Sequence, residues 1–96
     1  MKIYDNIHSF INDYNEKQHG HYFDRETLKF FGERLSDMRI HKTIVVREDY
    51  QGKKHDCYVI SRLQRNHPNG PRRTLAYFDV DTLENIKSYH NPGILK

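Results

Sequence analysis

A chain of 96 residues provides one domain with a limited core, which argues against a large substrate cleft closed by its own lid and makes a small binding module the default. With 35% apolar, 12% aromatic and 30% charged residues of mixed sign, the composition excludes a disordered chain. The net charge of +3 is uneven: residues 39–78 hold nine Lys or Arg against three Asp or Glu, whereas 1–38 hold five against seven and 79–96 two against three.

No apolar run approaches the roughly 20 residues that span a bilayer, and Met1-Lys2-Ile3-Tyr4-Asp5 lacks the apolar stretch of a signal peptide, so no membrane association and a cytoplasmic location are expected. The single cysteine, Cys57, cannot form an internal disulfide and fits a reducing compartment.

In chain order, Ile3, Ile7, Phe10, Ile11 and Tyr14 recur at helical spacing and predict an amphipathic helix over 4–17, ended by Gly20. Asp24 then reads as the N-cap of a second helix over 24–38, whose stripe is Leu28, Phe31, Leu35 and Met38, widened by Phe30 and weakened by Gly32. The period changes to two over 40–47, where Ile40, Ile44 and Val46 alternate with His41, Thr43 and Arg47 in the manner of a strand. Asp49–Lys54, with Gly52, makes a hairpin connection to a second strand over 55–64. A turn rich in Asn, Pro and Gly leads to a third strand over 72–80, and Asp81 with Glu84 opens a short last helix to Tyr89, stopped by Asn91-Pro92-Gly93.

The expected fold is therefore a single α+β domain over 1–96. It has two N-terminal helices, a three-stranded antiparallel sheet and a short C-terminal helix (ααβββα), with 1–19 as a helical extension of an αβββα core over 20–90. The helices would cover one sheet face and leave the other partly open.

The most informative stretch lies between Cys57 and Tyr77, where Arg62, Arg65, His67, Arg72 and Arg73 occur without one acidic residue around Asn66-His67-Pro68-Asn69-Gly70-Pro71. Guanidinium forks displayed from such a turn suit phosphate or carboxylate partners. Strand alternation sets Arg62 with Tyr58 and Ile60, and Arg73 with Leu75 and Tyr77; a mixture of arginine and tyrosine suits either a protein interface or phosphate contact with ring stacking. With Arg47, Lys53 and Lys54 from the first hairpin, these residues form the candidate partner-binding surface. The competing reading is that the arginines pair with acids on the helices and contribute little, although the helix-borne Glu26, Glu33 and Asp37 are expected on the covered side of the sheet.

Other constellations carry less. His19, His21, His55 and Cys57 are acceptable zinc ligands, but no Cys-x-x-Cys or spaced His pair is present, and no metal or other cofactor is expected. Ser36, Cys57 and Ser61 lie in no nucleophile-elbow setting. Glu48, Asp49, Lys53 and Lys54 superficially resemble a metal-dependent nuclease set, and read more simply as a solvated turn; Asp79 and Asp81 read as a strand end and a cap.

From Arg25 to Tyr89 the order helix, three strands, helix resembles a double-stranded-RNA-binding domain in topology, although Asp81 and Glu84 stand where that family starts its last helix with lysines. The run His21-Tyr22-Phe23-Asp24-Arg25-Glu26-Thr27-Leu28-Lys29-Phe30-Phe31, with Tyr58-Val59-Ile60-Ser61, Gly70-Pro71-Arg72-Arg73 and Ala76-Tyr77-Phe78-Asp79, resembles a group of small uncharacterised bacteriophage and plasmid proteins over roughly 20–86. That resemblance implies a mobile-element setting and no chemistry. The expectation is a non-enzymatic binding protein, monomeric or weakly dimeric, inhibiting a host defence complex such as a CRISPR nuclease. Direct sequence-independent binding to DNA or RNA is the alternative, and a small nuclease the third possibility.

Overall fold

The computed structural model describes residues 2–18 and 23–89, so the expectations placed on His19, Gly20, His21, Tyr22 and Asn91-Pro92-Gly93 lie outside the described residues. Helix α1 spans Ile7–Gln18 and is followed by β1 Phe23–Asp24, β2 Lys29–Phe30, β3 Glu33–Arg34, a single 3-10 turn at Leu35–Asp37, β4 Met38–Ile40, β5 Val45–Glu48, β6 Lys54–Arg62, β7 Arg73–Asp79 and β8 Asn85–Ser88. One helix and two antiparallel sheets thus replace the expected ααβββα order.

The first helix starts later than its apolar spacing suggested, because the Asn6 side chain accepts the Ser9 amide at 2.9 Å and caps the first turn. Ile7, Phe10, Ile11 and Tyr14 bury the expected stripe, joined by Tyr4, while Ile3 is left half exposed.

The second expected helix is absent. Residues 23–34 form a small three-stranded sheet of order β1-β2-β3 instead. Asp24 does accept exposed amides, those of Glu26 (2.9 Å) and Thr27 (3.4 Å), together with the Thr27 hydroxyl (2.6 Å), but it closes a tight turn rather than opening a helix. Leu28 then takes φ +54°, outside the helical region. Phe30 pairs with Glu33 across a two-residue loop, Phe31-Gly32, whose residues have φ +54° and +79°, the sign pattern of a type I′ hairpin. Burial of the Phe31 ring in the core offsets its strained backbone. Gly32→Ala is expected to cost about 1 kcal/mol by placing a Cβ in the left-handed region. An unchanged or raised urea midpoint would contradict the I′ reading.

The larger sheet has the order β4-β6-β7-β8, with β5 also paired to β6. The expected strand over 40–47 is broken in two along one edge of β6: Met38–Ile40 pairs with Ile60–Arg62 and Val45–Glu48 with Lys54–Cys57. The long β6–β7 hairpin matches its expected place, but the last helix does not form. Asp79 rather than Asp81 takes up the turn amides, those of Asp81 (2.8 Å) and Thr82 (2.9 Å). Leu83 adopts φ +61°, and Asn85–Ser88 pairs with the edge of β7 that would otherwise stand open.

Alternation divides β6 between two environments. Tyr58 and Ile60 join α1, the small sheet and Phe78 in the main core, while Cys57 and Val59 join Tyr77 in a smaller cluster on the opposite face, flanked by Val45 and Ile86. Pairing between β6 and β7 steps from Ile60↔Ala76 to Ser61↔Thr74, so Leu75 is an extra residue in a bulge. Beyond it Arg73 stands opposite Arg62, which breaks the expected common face of Arg73, Leu75 and Tyr77. Among the described residues, no helix is long and apolar enough to cross a membrane.

Candidate functional site

The β6–β7 connection folds back on itself through bonds from the His67 amide to Gln64 O (2.9 Å), the Gly70 amide to His67 O (2.9 Å) and Gln64 Nε2 to Pro71 O (2.7 Å). Its base is tied to the 3-10 turn, where the Leu63 amide donates to Asp37 O at 2.8 Å. These ties bring Arg62, Arg65, His67 and Arg73 around one cleft of about 340 Å³, together with Gln64, Asn66, Glu33 and Asp37.

The guanidiniums have different duties. Arg65 grips Asp37 with two bonds, Nε to Oδ2 at 2.9 Å and Nη2 to Oδ1 at 3.2 Å. Arg62 lies 3.7 Å from the Glu33 carboxylate, an ion pair too long for a hydrogen bond, and its Nη1 donates to Leu63 O at 3.4 Å. Arg73 is exposed and has no carboxylate partner among the described residues. Glu33 and Asp37, expected on a helix on the covered side of the sheet, thus stand inside the arginine cluster.

Arg72 points elsewhere and is structural. Its Nη2 donates to Asp37 O at 2.6 Å and its Nε to the Ser61 hydroxyl at 3.0 Å. Ser61, only 2% exposed, lies 2.7 Å from His41 Nε2. The hydroxyl, which accepts from Arg72, can either donate to His41 Nε2 or accept from it with its second lone pair. Burial, then the positive Arg72 and Arg39, hold the His41 pKa below its ordinary value. A serine beside a histidine invites comparison with a nucleophile and its base. Here the hydroxyl is inaccessible, and the charges around the imidazole are cationic rather than an orienting carboxylate.

The remaining candidates separate. Tyr58 is in the core, 1% exposed, with its hydroxyl donating to Lys2 O at 2.6 Å, so it offers no surface to a partner. Arg47 lies over the Tyr77 ring, 4.7 Å from its centroid, and donates to the Tyr77 hydroxyl at 3.3 Å on the outer face. Lys53 and Lys54 are exposed at the first hairpin, away from the arginine cleft.

That hairpin contains an ionic bridge that sequence reading missed. His55 Nε2 is 2.8 Å from Asp49 Oδ2 and Nδ1 is 2.8 Å from Asp79 Oδ2. Two carboxylates demand two N–H donors, so the ring is an imidazolium. Its pKa is raised by the bond to Asp49, then that to Asp79. The His55 bond lowers the Asp49 pKa, and in Asp79 burial pushes upward but is outweighed by bonds from Thr82, His55 and Asp81.

Asp49 Oδ1 meanwhile holds the turn by accepting the Gln51 (2.9 Å) and Lys53 (3.0 Å) amides. Both Asp49 oxygens are thus engaged, and among the described residues no group of three His, Cys, Asp or Glu is arranged to hold a metal ion. Cys57 is fully buried and its thiol pKa is pushed up to about 11 by burial, so it is no ready thiolate.

No family model, curated protein or solved structure matches this chain.

The bridge makes a pH prediction. A histidine whose folded pKa exceeds its unfolded value stabilises fully below about pH 6.5, and that contribution disappears as pH rises through the higher folded value. The depressed Asp49 and Asp79 act oppositely, contributing above their unfolded pKa and losing effect in acid. The contribution of His55 should therefore fall between pH 6 and pH 9, so the difference in urea midpoint between wild type and His55→Gln should shrink as pH rises. A difference constant across that range would contradict the imidazolium assignment.

Proposed function

We propose that this is a non-enzymatic binding protein of phage or mobile-element origin that inhibits a host defence complex, of the anti-CRISPR type, by docking on a protein surface through the arginine cleft. The observation that carries the reading is the mixed charge of the cleft: Arg62, Arg65 and Arg73 converge with Glu33 and Asp37. A run of phosphates would bring doubly repelled negative charge against those two carboxylates. A protein surface can offer acids to Arg73 and Arg62 and donors to Glu33, and such complementarity favours one partner over a generic polyanion.

The resemblance of residues 20–86 to small phage and plasmid proteins supports a mobile-element setting, with the action in the cytoplasm of a bacterial host. The protein acts as a monomer or weak dimer and without a cofactor. A cleavage assay tests the reading: guide-loaded CRISPR nucleases are titrated with wild-type protein and with Arg73→Glu. Inhibition of at least one nuclease, lost in the variant, is the expected result. No inhibition by the wild type, or equal inhibition by both proteins, contradicts the reading.

A further inference from the structure

Arg73 also borders a second groove, of about 430 Å³, lined by Thr74, Tyr77 and Tyr89. Its chemistry differs from that of the arginine cleft, for among the described residues no carboxylate lines it. The Tyr77 ring is nearly buried beneath the Arg47 guanidinium and meets Tyr89 edge to face, with centroids 5.9 Å apart and planes at 77°. Tyr89 is 51% exposed, and the Lys87 ammonium stands 5.5 Å from its ring centroid. A half-exposed ring is therefore positioned by a buried one, with Lys87 at the ring, Arg73 in the groove wall and Arg47 on the neighbouring Tyr77.

A planar, electron-rich ligand with negative charge beside it satisfies both features, and a nucleotide has both parts: a base for the tyrosine face and a phosphate for the cations. Bases within a duplex already have both faces stacked, so only an unpaired strand can use the ring. We propose that this groove binds single-stranded nucleic acid, with one base stacked on Tyr89 and the adjoining phosphates held by Arg73 and Lys87. The site shares Arg73 with the carboxylate-lined cleft and otherwise has its own lining, and it extends the protein from a protein-docking module to one that can also grip the nucleic-acid component of a nucleoprotein target.

Fluorescence anisotropy with a labelled oligothymidylate at low salt tests this on the isolated protein, so the outcome is independent of the docking reading. Saturable binding is expected, with a logarithmic salt slope of about −1.4 for two phosphate contacts. Tyr89→Ala should weaken it roughly tenfold or more and Tyr89→Phe should restore it, because the ring rather than the hydroxyl supplies the stack. Lys87→Glu, at an exposed position, should weaken binding in the same direction without relying on the tyrosine variant's fold. Absence of saturable binding, undiminished binding by Tyr89→Ala, or equal affinity for a duplex of the same length would each overturn the proposal.

Discussion

Phe78→Ala is expected to destabilise the protein by about 3–5 kcal/mol, the range for deleting a fully packed aromatic ring. Phe78 has no exposed surface, and its ring lies 5.1 Å from Phe10 and 5.6 Å from Tyr14 of α1, 5.6 Å from Phe30 of the small sheet and 6.0 Å from Phe31. One side chain of β7 thus joins the helix, the small sheet and the large sheet. Domains of this size have total stabilities on the order of 5–15 kcal/mol, so this change removes a large fraction of the whole. Urea unfolding measures it directly, and a loss below about 1 kcal/mol would mean that the three layers do not meet at this ring.

The second large effect separates two adjacent arginines. Arg72→Ala should cost about 2–3 kcal/mol, because it removes a charged donor and leaves Asp37 O and the buried Ser61 hydroxyl without it. Arg73→Ala should change stability by less than about 0.5 kcal/mol, since the exposed guanidinium has no carboxylate partner among the described residues. A double alanine variant would therefore confuse folding with binding, and Arg73 is the position at which binding through either groove can be tested without a folding cost. Equal costs at the two positions would contradict the division of labour between them.

Part of this arrangement was legible in the sequence. The β6–β7 hairpin was readable because β-branched and aromatic runs flank an unmistakable Asn/Pro/Gly turn. The first helix was readable because its apolar residues share one buried stripe. The stripe Leu28, Phe31, Leu35 and Met38, widened by Phe30, reported conformation wrongly and burial in part, for Phe30, Phe31, Leu35 and Met38 enter the core from turns and short strands whereas Leu28 is left exposed. Gly32 after Phe31 was the available sign of a two-residue hairpin.

Asp24 and Asp79 misled in a related way, since a carboxylate that accepts nearby amides serves a tight turn as readily as a helix start. At the candidate site, the arginine turn was visible, but its neutralising acids were not. Glu33 and Asp37 reach the cleft only because the expected second helix is a hairpin followed by a single turn. The His55 bridge depends on partners 6 and 24 residues away, a separation no local pattern records. The outer groove likewise requires Tyr89 to lie beside Tyr77, which follows from β8 being a strand rather than a helix.

The central claim is that the mixed-charge cleft selects a protein surface, and the most direct measurement is the affinity of immobilised guide-loaded nuclease for wild-type protein and Arg73→Glu, with free duplex DNA as competitor. Tight binding that the duplex does not displace, weakened at least tenfold by Arg73→Glu, is the expected result. Displacement by free duplex, or affinity indifferent to the charge at residue 73, would contradict it.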